Sequence, residues 1–279
     1  MGYHAKQQFN RAIIHAILIV GSVIMIAPFV WMILTAFKTR SEAVSVNPFY
    51  ILPVSGWHFE NFSEVWNSFN FLFLYRNTLL MILLRVVLAC LTATMAGYAF
   101  GRLKFPGKNF FFAFILVQMM VPGQIFIIPQ YMMMSKLGTL NTQFALLFPG
   151  MVTAFGTYLL KQGYQTLPKE LEEAGAIDGC NVFQRFLLIM LPLTQSSMVS
   201  LGIFTALFAY KDMMWPMIVC NRAETTTLSA ALAKLQGQFS SNYPQIMAGA
   251  IMAVIPMLVL YLIFQKQFVE GIATSGGKL

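Results

Sequence analysis

TLLMILLRVVLACLTATMAGYAF, residues Thr78–Phe100, is an apolar run broken by a single charge, Arg85. About 20 mostly apolar residues suffice for a helix to cross the hydrocarbon core of a bilayer. A transmembrane β reading fails, because the run does not alternate between lipid-facing and lumen-facing residue types. Ala93, Gly97 and, just beyond, Gly101 recur at four-residue spacing and predict a face where a second helix backbone comes close. Arg85 is costly against lipid and is expected to face protein or a cavity.

Five further stretches of the same kind flank this run. With it they give six spans, at about 12–37, 78–100, 110–130, 144–160, 186–210 and 246–264. The expected fold class is therefore all-α: a polytopic membrane protein of six transmembrane helices, forming one domain over 1–279, with a long loop at 161–185. Composition agrees, since 58% of the chain is hydrophobic and 10% charged, against roughly 25% charged in soluble domains. Lys6 and Arg11 precede a first run much longer than the roughly 7–15 residues of a signal-peptide core, so that run is expected to remain as a span.

The net charge of +8 is scattered between apolar runs and forms no basic stripe, which argues for a topology signal and against nucleic acid. With the N-terminus inside, ten basic residues fall on inner segments and seven on outer ones, so both termini are expected to be cytoplasmic. Cys90, Cys180 and Cys220 lie far apart and form no C-x-x-C pair; His4, His15 and His58 are equally dispersed. No metal site is expected. The outer segments 38–77 and 211–245 carry Trp57, Trp66 and Trp215, consistent with interfacial anchoring or with a docking surface for an external partner.

The loop reads LPKELEEAGAIDGCNVFQRFLLIMLPL from Leu167 to Leu193 and carries Glu170, Glu172, Glu173 and Asp178. Pro168 suits a first helical turn, and acids near a helix N-terminus are favourable. Leu171, Ala174, Gly175 and Asp178 share one face, where the small pair Ala174 and Gly175 predicts a notch open to another surface. Gly179 is suited to end the helix in a left-handed cap. A second short helical piece, Val182–Phe186, is expected to lead into the fifth span, with Pro192 near its start.

This segment resembles the EAA loop of bacterial ABC-importer permeases, whose pattern is E-A-A, three residues, G, nine residues, I-x-L-P. Here Glu173, Ala174 and Gly175 precede Gly179, and Ile189, Leu191 and Pro192 follow at that spacing; Gly175 replaces the second alanine. AGYAFGRLKFPGK (Ala96–Lys108), MVPGQIFIIPQY (Met120–Tyr131), LGTLNTQFALLFP (Leu137–Pro149) and the tail FVEGIATSGGKL (Phe268–Leu279) extend the resemblance to sugar-type permeases, typified by the smaller membrane subunit of the maltose importer. AYKDMMWP (Ala209–Pro216) departs from the usual Trp-Asn before an acidic residue.

The resemblance implies a permease subunit of an ATP-driven importer in a prokaryotic inner membrane. It implies a second permease subunit, two ATPase subunits and an extracytoplasmic solute-binding protein as partners, with lipid around them. Glu170, Leu171, Glu173, Ala174, Gly175, Asp178, Gly179 and Arg185 would form the ATPase-docking segment, with Glu173 facing a basic ATPase residue. ATP and Mg would be held by the ATPase, because no Walker loop is present here: Gly276, Gly277 and Lys278 are followed only by Leu279. No catalytic residue and no cofactor are expected on this chain.

Polar residues near or within spans suggest a substrate path: Gln118, Gln124, Gln195, Ser196, Ser197 and Ser200, with Asp212 and Trp215 at the fifth span's outer end. Hydrogen bonding between helices accounts for the same residues. Three other readings are open: an importer of a different small solute, an ion-coupled secondary transporter, and a structural or assembly membrane protein, which would tolerate changes around Glu173. The second calls for intramembrane ionisable groups and repeats, which the chain does not clearly display.

Overall fold

The computed structural model describes residues 3–238 and 242–276, with side chains described for 7–8, 10–234 and 242–266. The residues from 277 onward, including Lys278 of the glycine-rich tail, lie outside the described residues, as does the side chain of Lys6. Among the described residues the structure is helical: α1 (Tyr3–Ala36), α2 (Arg40–Val44), α3 (Glu60–Ser68), α4 (Phe71–Arg102), α5 (Lys108–Met120), α6 (Ile127–Lys136), α7 (Gln143–Leu147), α8 (Ala154–Gln165), α9 (Glu170–Ile177), α10 (Val182–Gln184), α11 (Leu191–Leu193), α12 (Gln195–Lys211), α13 (Met214–Val219), α14 (Leu228–Gln238) and α15 (Tyr243–Gly276).

Among the described residues, three helices are long and apolar enough to cross a bilayer unbroken, at Asn10–Ala36, Phe71–Arg102 and Tyr243–Lys266. The other three spans expected as continuous helices are bent pairs. The third is broken between α5 and the 3-10 turn Gly123–Phe126 by 100°. Pro122 cannot donate to the helical ladder there, and Val121 N–H turns back to Gln118 O at 3.3 Å. The fourth bends by 49° between the 3-10 turn Phe148–Gly150 and α8. Thr153 restarts it as N-cap, its hydroxyl accepting from Gly156 N–H.

The fifth span bends by 74° at Thr194, past a π-helical stretch, Arg185–Met190. Pro192 leaves a carbonyl one turn earlier without its donor, and wide turns and bends gather at such gaps. The second expected helical piece is correspondingly shorter, α10 alone. Its start carries a signal that the loop's acids and glycines overshadow: Asn181 and Gln184 form a reciprocal capping box, both bonds 2.9 Å.

The chain divides into two compact units, Met1–Phe69 with Leu232–Ile255 and Asn70–Ala231 with Pro256–Leu279. In the first, Asn61 ties α3 to the end of α1 by donating to Ala36 O and Lys38 O, and Gln245 on α15 donates to Glu64 on α3. Phe37 packs among Trp57, Phe59 and Phe62, and Lys38 lies over the Trp31 ring while donating to Tyr50 O at 2.7 Å.

The second unit is built on α4. Its small-residue face meets α8 as the spacing predicts. A Cβ on Gly97 would lie 2.7 Å from Leu160 Cβ and 2.9 Å from Lys161 N, and one on Gly101 3.2 Å from Tyr164 Cβ. Thr94 and Tyr164 share a hydroxyl hydrogen bond of 2.5 Å across the same contact. Two apolar cores follow along this axis. One gathers Ala93, Tyr98, Leu160, Tyr164, Phe186, Met190 and Leu201; the other holds Met81, Ile82, Met134, Leu146, Trp215 and Val219.

Candidate functional site

Within the 161–185 segment, whose first residues continue α8 to Gln165, α9 is a short helix with two distinct faces. Its C-terminal end is a Schellman turn: Gly179 takes φ +83°, Gly179 N–H donates to Ala176 O at 3.2 Å, and Cys180 N–H donates to Gly175 O at 2.9 Å. The turn expected at Gly179 is therefore present, and it aims the chain back toward α10.

Outward from α9 stand Glu170, Leu171, Glu173, Ala174 and Asp178, all exposed. With them stand two apolar residues the sequence reading passed over, Ile177 at 86% exposure and Phe183 at 63%. Ile177 is the last residue of α9. Glu173 makes no side-chain hydrogen bond or ion pair among the described residues.

Two residues assigned to that outward surface belong elsewhere. Gly175 is buried, and a Cβ there would lie 2.5 Å from Ile189 Cδ1 and 3.3 Å from Arg185 Cγ. The notch is therefore filled by this chain's own π-helical stretch, and only Ala174 remains on the open face. Arg185 lies half-buried against that glycine, its Nη1 donating to Glu172 O at 3.5 Å. Glu172 likewise faces inward: Tyr98 Oη donates to its Oε1 at 2.8 Å, and Arg102 Nε lies 3.2 Å from Oε2. The Nε contact is off-line for a hydrogen bond and acts as a charge–charge contact.

Further along α4 lies a cavity of about 1300 Å³. Gln118, Gln162, Thr153 and Asp212 present polar groups to it, while Phe155, Tyr158, Phe204 and Phe208 supply aromatic walls. Arg85 reaches its wall and solves the problem of its own charge: Nη1 donates to Asp212 Oδ2 at 2.9 Å, and Nε to Leu146 O at 3.0 Å. Asp212 Oδ1 also accepts from Trp215 N–H, and the Trp215 indole donates to Ala145 O at 2.8 Å. Arg85 and Trp215 thus cap the two carbonyls stranded where α7 gives way to a tighter turn. The sequence alone left Arg85 without a named partner; Asp212, an acid closing an apolar run, is the signal that pointed to it.

Of the eight residues expected to line a substrate path, the cavity gathers Gln118 and Asp212. Gln124 is exposed beyond the break of the third span, and Gln195 and Ser196 are exposed at the start of α12. Ser200 is buried and donates to Ser196 O, which spends its hydroxyl within the helix. Ser197 packs against Gly163 on α8, whose missing side chain makes room for it. Trp215 is buried in the second core. Gln162, which the sequence reading placed at the edge of a loop, is the polar wall residue it missed.

The binding-protein-dependent transport system inner membrane component family matches residues 86–271. The arabinooligosaccharides transport system permease protein AraQ of Halalkalibacterium halodurans is 31% identical over 91% of this chain and 92% of its own. The lactose transport system permease protein LacG of Rhizobium radiobacter is 26% identical over 94% of both chains. A chain from the crystal structure of a bacterial ABC transporter involved in the import of the acidic polysaccharide alginate overlays with a TM-score of 0.77, at 21% identity, over 95% of this chain and 98% of that one; at this identity the likeness speaks for the fold alone. With the family matching about two thirds of its length, this chain belongs to the inner membrane components of binding-protein-dependent transport systems.

Proposed function

We propose that this permease serves an ATP-driven importer of sugars or oligosaccharides, forming half of the translocation path beside a second permease subunit. ATP hydrolysis occurs on two separate ATPase subunits, and an extracytoplasmic binding protein delivers the solute. Both termini face the cytoplasm, and α9 is the helix on which an ATPase subunit docks. The observation that carries this reading is the outward face of α9: unpaired Glu173 beside highly exposed Ile177, on a helix anchored from behind. The relatives named for arabino-oligosaccharides and lactose support a sugar cargo, as does a cavity walled by aromatic rings and amides, which suits hydroxyl-rich rings.

Co-purification with the ATPase and sister subunits tests this reading. Truncating one member of a desolvated interfacial charge pair costs about 2–5 kcal/mol, so Glu173→Ala is expected to weaken ATPase association at least about tenfold. Ile177→Ser is expected to act in the same direction. No ATPase recovered with the unaltered chain, or undiminished recovery with both variants, would sink the docking assignment. A cysteine introduced at Glu64 is expected to react with impermeant maleimide from outside the cell, which checks the orientation.

A further inference from the structure

An eight-residue helix has almost no stability of its own in water, so α9 is held by what it touches. Its attachments fall on one side. Gly175 seats it on Ile189, and Glu172 uses both carboxylate oxygens on α4, one on Tyr98 and one on Arg102. Tyr98 and Arg102 are four residues apart, one turn of the same helix, so the carboxylate grips α4 across a full turn. Arg102 also fixes the chain entering α9, its Nη2 donating to Leu167 O at 2.7 Å and to Pro168 O at 3.1 Å. The Arg102 and Glu172 side chains are 6% and 16% exposed, so this ion pair is shielded from water and salt.

From Arg102, α4 runs unbroken back to Arg85 at the cavity wall, about 25 Å away at 1.5 Å per residue. Its contact with α8 leaves no clearance at Gly97, so the two helices are clamped along that length. We propose that Glu172 is the positioning residue that ties α9 to α4. A displacement imposed on α9 by an ATPase then reaches Arg85 and the cavity through one unbroken helix, while Glu173 and Ile177 make the outward contact. This rests on the permease reading above. Two adjacent glutamates thereby take different roles, Glu173 binding the partner and Glu172 transmitting its movement.

The assembled transporter in nanodiscs supplies the test, with Cys90, Cys180 and Cys220 replaced by serine and Gln118→Cys as a reporter on the cavity wall. Maleimide reaction at that position is compared without nucleotide and with Mg-ATP trapped by vanadate. In the reporter background the rate is expected to differ about tenfold between the two states, within the usual range of coupling between sites. Glu172→Gln keeps an acceptor for Tyr98 but removes the charge facing Arg102. It is expected to shrink the response to less than about twofold, with ATPase recovery and hydrolysis retained. Arg102→Gln, which also frees Leu167 O and Pro168 O, is expected to shrink the response at least as far, and the double variant to be no worse than Arg102→Gln alone.

A full nucleotide response in Glu172→Gln overturns the proposal, as does no response in the reporter background. Loss of ATPase recovery in Glu172→Gln also overturns it, since Glu172 would then be a docking residue. Failure of the permease reading is separately visible, because the reporter chain itself would bring down no ATPase.

Discussion

Glu42 and Asp212 are both largely withdrawn from water, in the two different units of the chain, and they are satisfied by different means. Glu42 follows the first span in a short helix flanked by irregular chain. Its carboxylate accepts backbone N–H bonds from Thr39 at 3.0 Å, Val54 at 2.9 Å and Ser55 at 2.7 Å. Burial by itself would raise its carboxyl, but these donors outweigh burial and hold it at about 2. Asp212 ends α12, where the preceding N–H groups are already spent on the helix. It finds one N–H, from Trp215, and takes a guanidinium for the rest. The difference teaches that loop backbone can solvate a carboxylate unaided, whereas a carboxylate at the end of a span needs a side-chain cation.

The sharpest way to break this comparison is to remove the acid from the span. Asp212→Ala leaves Arg85 buried beside Leu146 O without its counter-charge, which is expected to cost about 3–5 kcal/mol. The loss should appear as lower yield and a lower melting temperature in detergent. Arg85→Leu combined with Asp212→Leu is expected to recover most of it, because a packed apolar pair needs no counter-charge. A double variant as unstable as the single one would mean that the Leu146 carbonyl, rather than the charges, sets the requirement.

Glu42→Gln sharpens the other side. It keeps the shape but discards charge-assisted bonds, so about 1.5–3 kcal/mol is expected to be lost, with faster tryptic cleavage at Arg40 at neutral pH. The pH response has a definite sign. The folded carboxyl lies below its unfolded value near about 4.3, so its contribution is complete above that value and fades as pH falls toward about 2. Hydrogen-exchange protection of the Val54 and Ser55 amides, corrected for intrinsic exchange, should therefore hold steady from neutral pH to about 5 and fall below it. Glu42→Gln should flatten that fall.

The smallest effect is expected at Gly179, in the turn that aims α9. An alanine at φ +83° costs about 1 kcal/mol and meets no neighbour within 4 Å, so folding should survive with slightly reduced ATPase recovery.

The six apolar runs, the close helix face at Gly97 and the left-handed turn at Gly179 were readable because each follows from residue type and spacing alone. The breaks in three spans were not. Pro122, Pro149 and Pro192 mark them, but a proline inside an apolar run is compatible with a mild kink or a full turn, and neighbouring helices decide which. The sidedness of α9 escaped for a related reason. A small residue reads alike whether an outside partner or the chain's own Ile189 fills the space above it. Ser200 lies off the cavity wall for a local reason that residue type does not reveal: a serine in a helix can satisfy itself, as it does on Ser196 O.

The 100° break at Pro122 bears on how the protein is made. Met120 is 84% exposed, and Pro122, Gly123 and Gln124 after it are exposed as well. A helix interrupted at membrane depth presents backbone amides that hydrocarbon cannot solvate, and such a stretch persists only under cover of protein or water. On the proposed pairing with a second permease, a copy inserted alone therefore carries a built-in mark of being an orphan. Its lifetime in the membrane is expected to depend on how promptly the second permease is synthesised beside it, a dependence that pulse-chase with and without the sister would reveal.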